Sequence, residues 1–268
     1  MLPLTFPQMV HTLPDILARI IERKQALLPG LYANRGELER RAGARGPARD
    51  FRAALIGREP AIIAEVKQAS PSQGTFVSHF DPAGIARMYA AGGAAALSVL
   101  TDEEFFRGSL RDMEVARGSV QVPVLRKDFT IDEVHVIEAA AHGADAILLI
   151  AAILDEGQMR RFRELAGRYS MAALVEVHNA GELEQAIASG SEIIGVNNRN
   201  LHTFEVSLDT SLQLAAKIPP GILKVTESGV HSRADVTRLQ EAGYQAFLVG
   251  EHLMKSPDPA QALRALQS

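Results

Sequence analysis

Short apolar runs recur along the chain, and each is followed by a stretch with helical periodicity. The runs have the length of β-strands and are rich in Ile, Leu and Val. They lack the polar alternation of half-exposed strands, which indicates strands covered on both faces. The runs are AIIAEV from 61, AAALSVL from 94, VPVLRK from 122, AILLI from 146, AALVEV from 172, EIIGVNN from 192, ILKVTESG from 222 and AFLVG from 246.

The repeat predicts an α/β fold, a (β/α)8 (TIM) barrel with an N-terminal helical extension. A repeat of about 25–30 residues suits a strand plus a crossover helix. A doubly wound open sheet has the same local pattern and is the competing interpretation. The count of eight favours the barrel, because an open sheet would leave two apolar edges. Since no linker interrupts the series, we expect one domain over 1–268, with the extension at 1–60 and eight βα units at 61–268.

The N-terminal extension contains an amphipathic helix, LPDILARIIERKQALLPG. Its apolar stripe comprises Ile16, Leu17, Ile20 and Ile21, followed by Leu27 and Leu28. The next segment, RGELERRAGARGPARDFRAAL, is charged and reads as a helical connection. The extension either packs across the barrel or forms a lid near its mouth, and packing is the commoner role of a terminal segment.

Composition excludes several kinds of protein. With a net charge of −4, the chain has no basic field for nucleic acid. It contains no Cys, which excludes disulfides, thiolate metal sites and a Cys nucleophile. The first residues, MLPLTFPQMVHTLPD, do not resemble a signal peptide, and no apolar run reaches the roughly 18–20 residues of a membrane span. We expect a cytoplasmic, monomeric protein with neither a nucleic-acid nor a membrane partner.

Polar residues cluster where the predicted strands end, which is where parallel barrels carry their chemistry. These residues are Glu65 and Lys67 on the first strand, Lys127 on the third, Glu176 on the fifth, Asn197 and Arg199 on the sixth, Glu227 and Ser228 on the seventh, and Gly250 and Glu251 after the eighth. Because strand side chains alternate, Glu65 and Lys67 share a face. Any one of these residues could be a solvated loop residue, but their recurrence at so many strand ends predicts a site.

The loops after the seventh and eighth strands predict an anion site. Gly229 and Gly250 would let backbone N–H groups approach a phosphate, and Ser70 in the first loop could donate a hydroxyl. The alternative for each Gly is a plain tight turn. Two loop aromatics, Phe106 and Phe129, together with Phe105, could sandwich a flat ring or simply pack.

Metal and nucleotide motifs are absent. The eight His show no HExxH spacing, and neither GxGxxG nor GxxxxGK[ST] occurs, so we expect neither metal nor cofactor. His178 follows a strand end. It could enter the site, but we favour a histidine whose bonds are satisfied at a helix start.

Several blocks of this sequence resemble the indole-3-glycerol-phosphate synthase family in its monofunctional form. They are IIAEVKQASPSQG, LSVLTDEEFFRGS, PVLRKDF, GADAILLIAAIL, LVEVHN, IIGVNNRNLHTF, TESGV and FLVGEHLM, in order from about Ile62 onward. The resemblance implies a lyase of tryptophan biosynthesis that uses no metal or organic cofactor. Its substrate would be 1-(2-carboxyphenylamino)-1-deoxyribulose 5-phosphate, which undergoes ring closure, decarboxylation and dehydration.

The resemblance also implies residue roles. Lys127 would act as general acid on the ketone, and Lys67 would hold the substrate carboxylate. Glu65 and Glu176 would stabilise the cationic ring and accept a proton, while Asn197 would orient Glu176 or a substrate hydroxyl. The remaining matches are Ser228 as a further catalytic residue, Ser70, Gly229, Gly250 and Glu251 at the phosphate, Phe106, Phe129 and Leu148 at the ring, and Arg199 and Glu227 as substrate-binding or charge-setting groups.

Departures from the family pattern are small. Val134 and His135 replace an expected aromatic and Gln, on what should be an outward helix face, and TESGV replaces SESGI. Two rival functions remain. One is another phosphosugar barrel enzyme such as phosphoribosylanthranilate isomerase, which would not need Lys67 together with Lys127. The other is a non-catalytic barrel that binds an anion.

Overall fold

Eight parallel strands close into a barrel, which confirms the predicted fold. The computed structural model describes residues 15–71, 74–77 and 79–268. Residues 1–14, on which the expectation about a signal peptide rests, lie outside that part. The strands are β1 Ala61–Val66, β2 Ala96–Leu100, β3 Val124–Lys127, β4 Ala146–Ile150, β5 Ala172–Val177, β6 Ile193–Asn197, β7 Leu223–Glu227 and β8 Ala246–Val249. Strand β1 pairs with both β2 and β8, so the sheet has no open edge.

Helices alternate with these strands. They are α1 Asp15–Ala33, α2 Arg35–Ala44, α3 Phe51–Ile56, α4 Pro82–Ala91, α5 Glu103–Phe106, α6 Leu110–Ser119, α7 Glu133–Ala141, α8 Glu156–Arg168, α9 Ala180–Ala188, α10 Asp209–Ala215, α11 Arg233–Glu241, α12 Glu251–Met254 and α13 Pro259–Gln267. Several helices begin at a polar residue whose side chain caps the helix. Asp81 accepts from Gly84 N, and Asp155 forms a reciprocal capping box with Gln158.

The alternation of each strand sorts its side chains into two apolar layers. In β1, Ala61 and Ile63 belong to the cluster inside the barrel, whereas Ile62 and Ala64 belong to the cluster between barrel and helices. Glu65 lies two residues beyond Ile63 and therefore continues the inward face toward the mouth. The interior is filled by side chains and is not a pore.

The N-terminal extension contacts the barrel at both ends. Helix α1 lies at the mouth, where Ile16, Leu17 and Ile20 line a cavity. Helix α3 lies at the opposite end, where Phe51 and Leu55 are buried within the interior cluster. The predicted stripe of α1 is wrong at Leu27, which is 41% exposed. The stripe continues instead through Lys24, whose partners are described below.

The buried carboxylate of Asp145 anchors the segment between α2 and α3. It accepts from the Arg49 amide, from the Arg117 guanidinium and from the Val124 amide, at 2.8–3.0 Å. Arg45 adds a bond to the Ala144 carbonyl at 2.7 Å. These bonds fix the extension to the starts of β3 and β4, so α1 and α3 are held at opposite ends of one rigid barrel.

The expectation that Val134 and His135 face outward is wrong. They are 0% and 4% exposed, because α1 and α2 cover the face of α7 that points away from the barrel. Burial, reinforced by Arg126, lowers the pKa of His135 to about 4. The neutral ring accepts a bond from the Ile131 amide at Nδ1. The departures from the family pattern therefore sit in the core.

Candidate active site

All of the predicted site residues line one cavity at the C-terminal ends of the strands. They are Glu65, Lys67, Ser70, Phe106, Lys127, Phe129, Leu148, Glu176, Asn197, Arg199, Glu227, Ser228, Gly229, Gly250 and Glu251. The cavity volume is about 480 Å³, within the range of small-molecule sites. Residues far apart in the chain meet here because every parallel strand ends on the same side of the barrel.

Lys127 lies between two carboxylates. Its Nζ is 2.8 Å from Glu176 Oε2 and 2.8 Å from Glu227 Oε2. Burial disfavours the ammonium, but the carboxylates outweigh it and hold the pKa of Lys127 above its ordinary value. The side chain is therefore a fixed cation, suited to polarising a substrate oxygen.

The two carboxylates differ in how they ionise. Burial would raise the pKa of Glu176, but Lys127 outweighs it and lowers that pKa below its usual range. Burial raises the pKa of Glu227 to about 7, and neighbouring Glu176 adds to the effect. Because the groups share Lys127, they titrate as a coupled pair.

A second ion pair lies at the end of β1. Lys67 Nζ is 2.5 Å from Glu65 Oε1, and Lys67 also lies 5.1 Å from the Phe76 ring centre. Because Gly250 has no side chain, this pair has room beside its backbone. A Cβ built there would overlap Glu65 Oε1 and lie 3.0 Å from Lys67 Nζ. Gly250 is thus required by the carboxylate, a reason that the sequence did not reveal.

The loop after β7 has a left-handed backbone. Ser228 and Gly229 have φ values of 64° and 82°, a conformation that glycine adopts readily and serine rarely. Ser228 Oγ donates to Asn197 Oδ1 at 3.0 Å, and the Arg199 amide donates to the same oxygen. Asn197 therefore orients the Ser228 loop. Among the described residues, no bond joins it to Glu176.

Glu251 begins α12, directly after Gly250. Its carboxylate contacts Lys255 at 2.6 Å and Arg199 at 3.8 Å. Ser70 lies across the cavity, in a hairpin formed by Ala69–Ser70 and Gly74–Thr75. The groups predicted to hold a phosphate thus lie on the loops after β1, β7 and β8.

Two aromatic rings form an apolar wall. The Phe106 and Phe129 centroids are 6.1 Å apart with a 37° tilt, and Leu148 lines the same cavity. Phe105 is instead placed against Arg19 of α1, 5.7 Å from its guanidinium carbon. Of the three aromatics singled out in the sequence, two line the cavity.

Sequence reasoning missed a buried ion cluster beside Lys127. Lys24 of α1, 7% exposed, lies 2.6 Å from Asp128 and 3.1 Å from Asp102. Burial would raise the pKa of Asp128, but Arg126 and Lys24 hold it below its usual range. The available signal was a lysine on the apolar stripe of α1, at helical spacing from Ile20.

Sequence reasoning also undervalued His178. The expectation of a histidine with satisfied bonds holds only for Nδ1, which lies 2.9 Å from Glu182; Nε2 is buried without a hydrogen-bond partner among the described residues. Its Nε2, however, lies 3.3 Å from Glu176 Oε1. The signal was its position two residues after Glu176, on the same side of the strand end.

Residues 15–71, 74–77 and 79–268 contain neither a candidate metal site nor a candidate membrane span. No group of three or more metal-ligating side chains is placed to hold an ion there. No helix in that part of the chain combines the length and hydropathy needed to cross a membrane.

Comparison with known proteins identifies relatives over most of the chain. The family model described as indole-3-glycerol phosphate synthase matches residues 17–266. A protein of that name from Albidiferax ferrireducens is 50% identical over 258 residues, covering 94% of this chain and 98% of the relative. One from Chromobacterium violaceum is 49% identical over 258 residues, covering 94% and 97%.

Solved structures resemble the fold at low sequence identity. Thiamine phosphate pyrophosphorylase from Pyrococcus furiosus is 15% identical, with a TM-score of 0.59, covering 77% of this chain and 93% of that chain. KGPDC from Streptococcus mutans is 14% identical, with a TM-score of 0.58, covering 78% and 96%. At such identities the likeness concerns the fold alone.

Proposed function

Because the chain belongs to the indole-3-glycerol-phosphate synthase family, we propose that its mouth cavity carries out that family's reaction with the residues named above. The observation that carries this assignment is the placement of Lys127 at 2.8 Å from both Glu176 and Glu227. The Glu65–Lys67 pair lines the same cavity. Ring closure needs an electrophilic ketone and stabilisation of a cationic ring, and these charges supply both.

Substrate binding uses three sides of the cavity. The phosphate lies at the left-handed loop of Ser228 and Gly229, near Ser70. The anthranilate ring lies against Phe106 and Phe129. Lys67 pairs with the ring carboxylate, in exchange for part of its contact with Glu65. The ring carbon that bears the carboxylate is then held close to the ketone.

The bond-forming step uses Lys127. Its ammonium polarises the ketone oxygen and supplies the proton as the ring carbon attacks. Glu176 and Glu65 stabilise the positive charge that develops on the ring and nitrogen. Loss of CO2 leaves its bonding electrons in the ring and neutralises that charge.

Dehydration completes the reaction. The hydroxyl formed from the ketone takes a proton from the Lys67 ammonium and leaves as water, and the new five-membered ring loses a proton to give the indole. Glu176, held ionised, is the acceptor in this scheme, and Glu227 sets the charge beside Lys127. Asn197 holds the Ser228 loop and faces a substrate hydroxyl.

The same proposal covers the organisation of the protein. The whole chain acts as one domain, since α1 and α3 pack at the two ends of the barrel. It works as a cytoplasmic monomer on a soluble phosphorylated substrate, without metal or organic cofactor. Light scattering of the purified protein tests the monomer, and activity in the presence of a chelator tests the metal independence.

The direct test is indole formation from the carboxyphenylamino-deoxyribulose phosphate, followed by fluorescence. Lys127→Met should lower kcat/KM by about 10²–10⁴-fold, while Lys217→Met, at an exposed lysine, should not change it. A pH–rate profile of Glu176→Gln should lose the limb that belongs to the base. Folded wild-type protein that forms no indole would refute the assignment. Turnover of phosphoribosylanthranilate alone would support the isomerase instead.

A further inference from the structure

The two carboxylates beside Lys127 are equivalent at one oxygen and different at the other. Each places its Oε2 2.8 Å from Lys127 Nζ. Glu227 Oε1 is buried and has no hydrogen-bond partner among the described residues. Glu176 Oε1 faces His178 Nε2 at 3.3 Å. The difference between the pair therefore arises at His178.

Helix α9 holds His178 in place. Glu182 Oε2 accepts from the His178 backbone amide at 2.7 Å and contacts ring Nδ1 at 2.9 Å. Glu182 Oε1 accepts from Asn179 Nδ2 at 2.6 Å. The ring is 11% exposed. His178 Nε2 lies close enough to Glu176 Oε1 to form an ion pair with it when the ring is protonated.

We propose that His178 is a positioning residue that, as an imidazolium, makes Glu176 the ionised carboxylate of the pair and leaves the proton to Glu227. This inference rests on the proposed function and assigns the two carboxylates their separate roles. Without a second cation at Glu176, both groups would face Lys127 alike. The pKa of Glu176 would then rise toward that of Glu227.

The charges around the cluster support this division. His178 faces Glu176 on its own strand and Glu182 on α9. Burial opposes its protonation, but these two carboxylates outweigh burial and raise the pKa of His178 to about 10. Glu176 itself faces Lys127, His178 and Glu227, and Glu65 acts on Lys127 from β1. Of the two carboxylates, Glu176 alone has His178 as an ion-pair partner.

The test follows carboxyl protonation directly, in protein labelled with ¹³C at the Glu carboxyls and without substrate. The signals are assigned to Glu227 and Glu176 by their loss in Glu227→Gln and Glu176→Gln. In the wild type, the Glu227 carboxyl should titrate near neutral pH, and the Glu176 carboxyl should stay ionised. In His178→Gln, the Glu176 midpoint should rise by about 1–3 pH units. The acid limb of kcat should move in the same direction with little change in KM.

The controls separate charge from packing. His142→Gln removes a histidine that lies 2.8 Å from Glu114, away from the site, and should leave both midpoints unchanged. His178→Lys restores a cation and should return the Glu176 midpoint toward the wild-type value. Glu182→Gln should shift the midpoint as His178→Gln does, by less, and carries the test if His178→Gln does not fold.

An unchanged Glu176 midpoint in folded His178→Gln, or in folded Glu182→Gln when His178→Gln does not fold, would overturn the inference. The proposed function would be untouched by that result, because the wild type would still form indole. Conversely, a wild type without turnover would refute the function, while the titration would still report on His178.

Discussion

Helix α1 contacts the end of strand β3 through one buried lysine. Lys24 Nζ lies 2.6 Å from Asp128, the residue directly after Lys127, and Asp128 also accepts from the Phe129 amide at 2.7 Å. Replacing Lys24 by Met keeps the length of the side chain and removes the charge. We expect this change to loosen α1 and with it the cavity wall formed by Leu17 and Ile20.

The magnitude follows from what remains. Removing one partner of a buried ion pair costs about 3–5 kcal/mol. Asp128 keeps its bonds to Arg126 and Thr101 at 3.1 and 2.6 Å. Lys24→Met should therefore lower the free energy of unfolding by about 3 kcal/mol, the lower end of that range. With an unfolding entropy of about 2.1 cal/mol/K per residue, that loss lowers Tm by about 5 °C in a chain of this length.

The neighbouring residue provides a matched control. Arg23 pairs with Glu104 at 2.9 Å, but the two side chains are 49% and 53% exposed. Arg23→Met should therefore change the free energy of unfolding by less than about 1 kcal/mol. Urea midpoints give the stabilities, and steady-state kinetics should show a raised KM for Lys24→Met alone. Equal effects of the two substitutions would refute the idea that Lys24 anchors α1.

Two further predictions concern the mouth. Gly250→Ala places a methyl group on the Glu65 carboxylate and against Lys67, so kcat/KM should fall by at least tenfold with a stability loss of about 1–3 kcal/mol; unchanged kinetics would show that the pair has room to move. The raised pKa of Glu227 favours the folded state below the unfolded value of 4.5, and that stabilisation is lost as pH rises through about 7. Urea unfolding of the wild type and Glu227→Gln at pH 5 and pH 8 gives the free energies of unfolding. The difference between the two proteins should change by at most about 3 kcal/mol between these pH values, with the variant relatively more stable at pH 8.

The barrel and its mouth follow from local features of the sequence. Buried strands with helical spacers occur in only a few folds, and alternation places Glu65 on the inward face two residues after Ile63. Strand limits are less well predicted. The run from 122 extends two residues before β3, which begins at Val124, because an apolar residue outside a strand looks like one inside it.

The remaining features depend on partners distant in the chain. His135 lies on a face of α7 that periodicity assigns to solvent, and only the packing of α1 and α2 on that helix buries it. Lys24 and His178 looked like ordinary helix and loop residues because Asp128 and Glu182 had to be brought to them by the fold. Charge placed on a buried stripe is the one local signal that pointed to Lys24.

The burial of α3 side chains inside the barrel has a consequence for how the chain folds during synthesis. Phe51 and Leu55 belong to the same interior cluster as Ala246 of the last strand. On the ribosome, these two apolar side chains emerge long before their final neighbours exist. They lack their native contacts, and are accessible to chaperones, until β8 has been synthesised and the barrel can close. The packing of α3 against the barrel interior therefore follows the synthesis of the last strand.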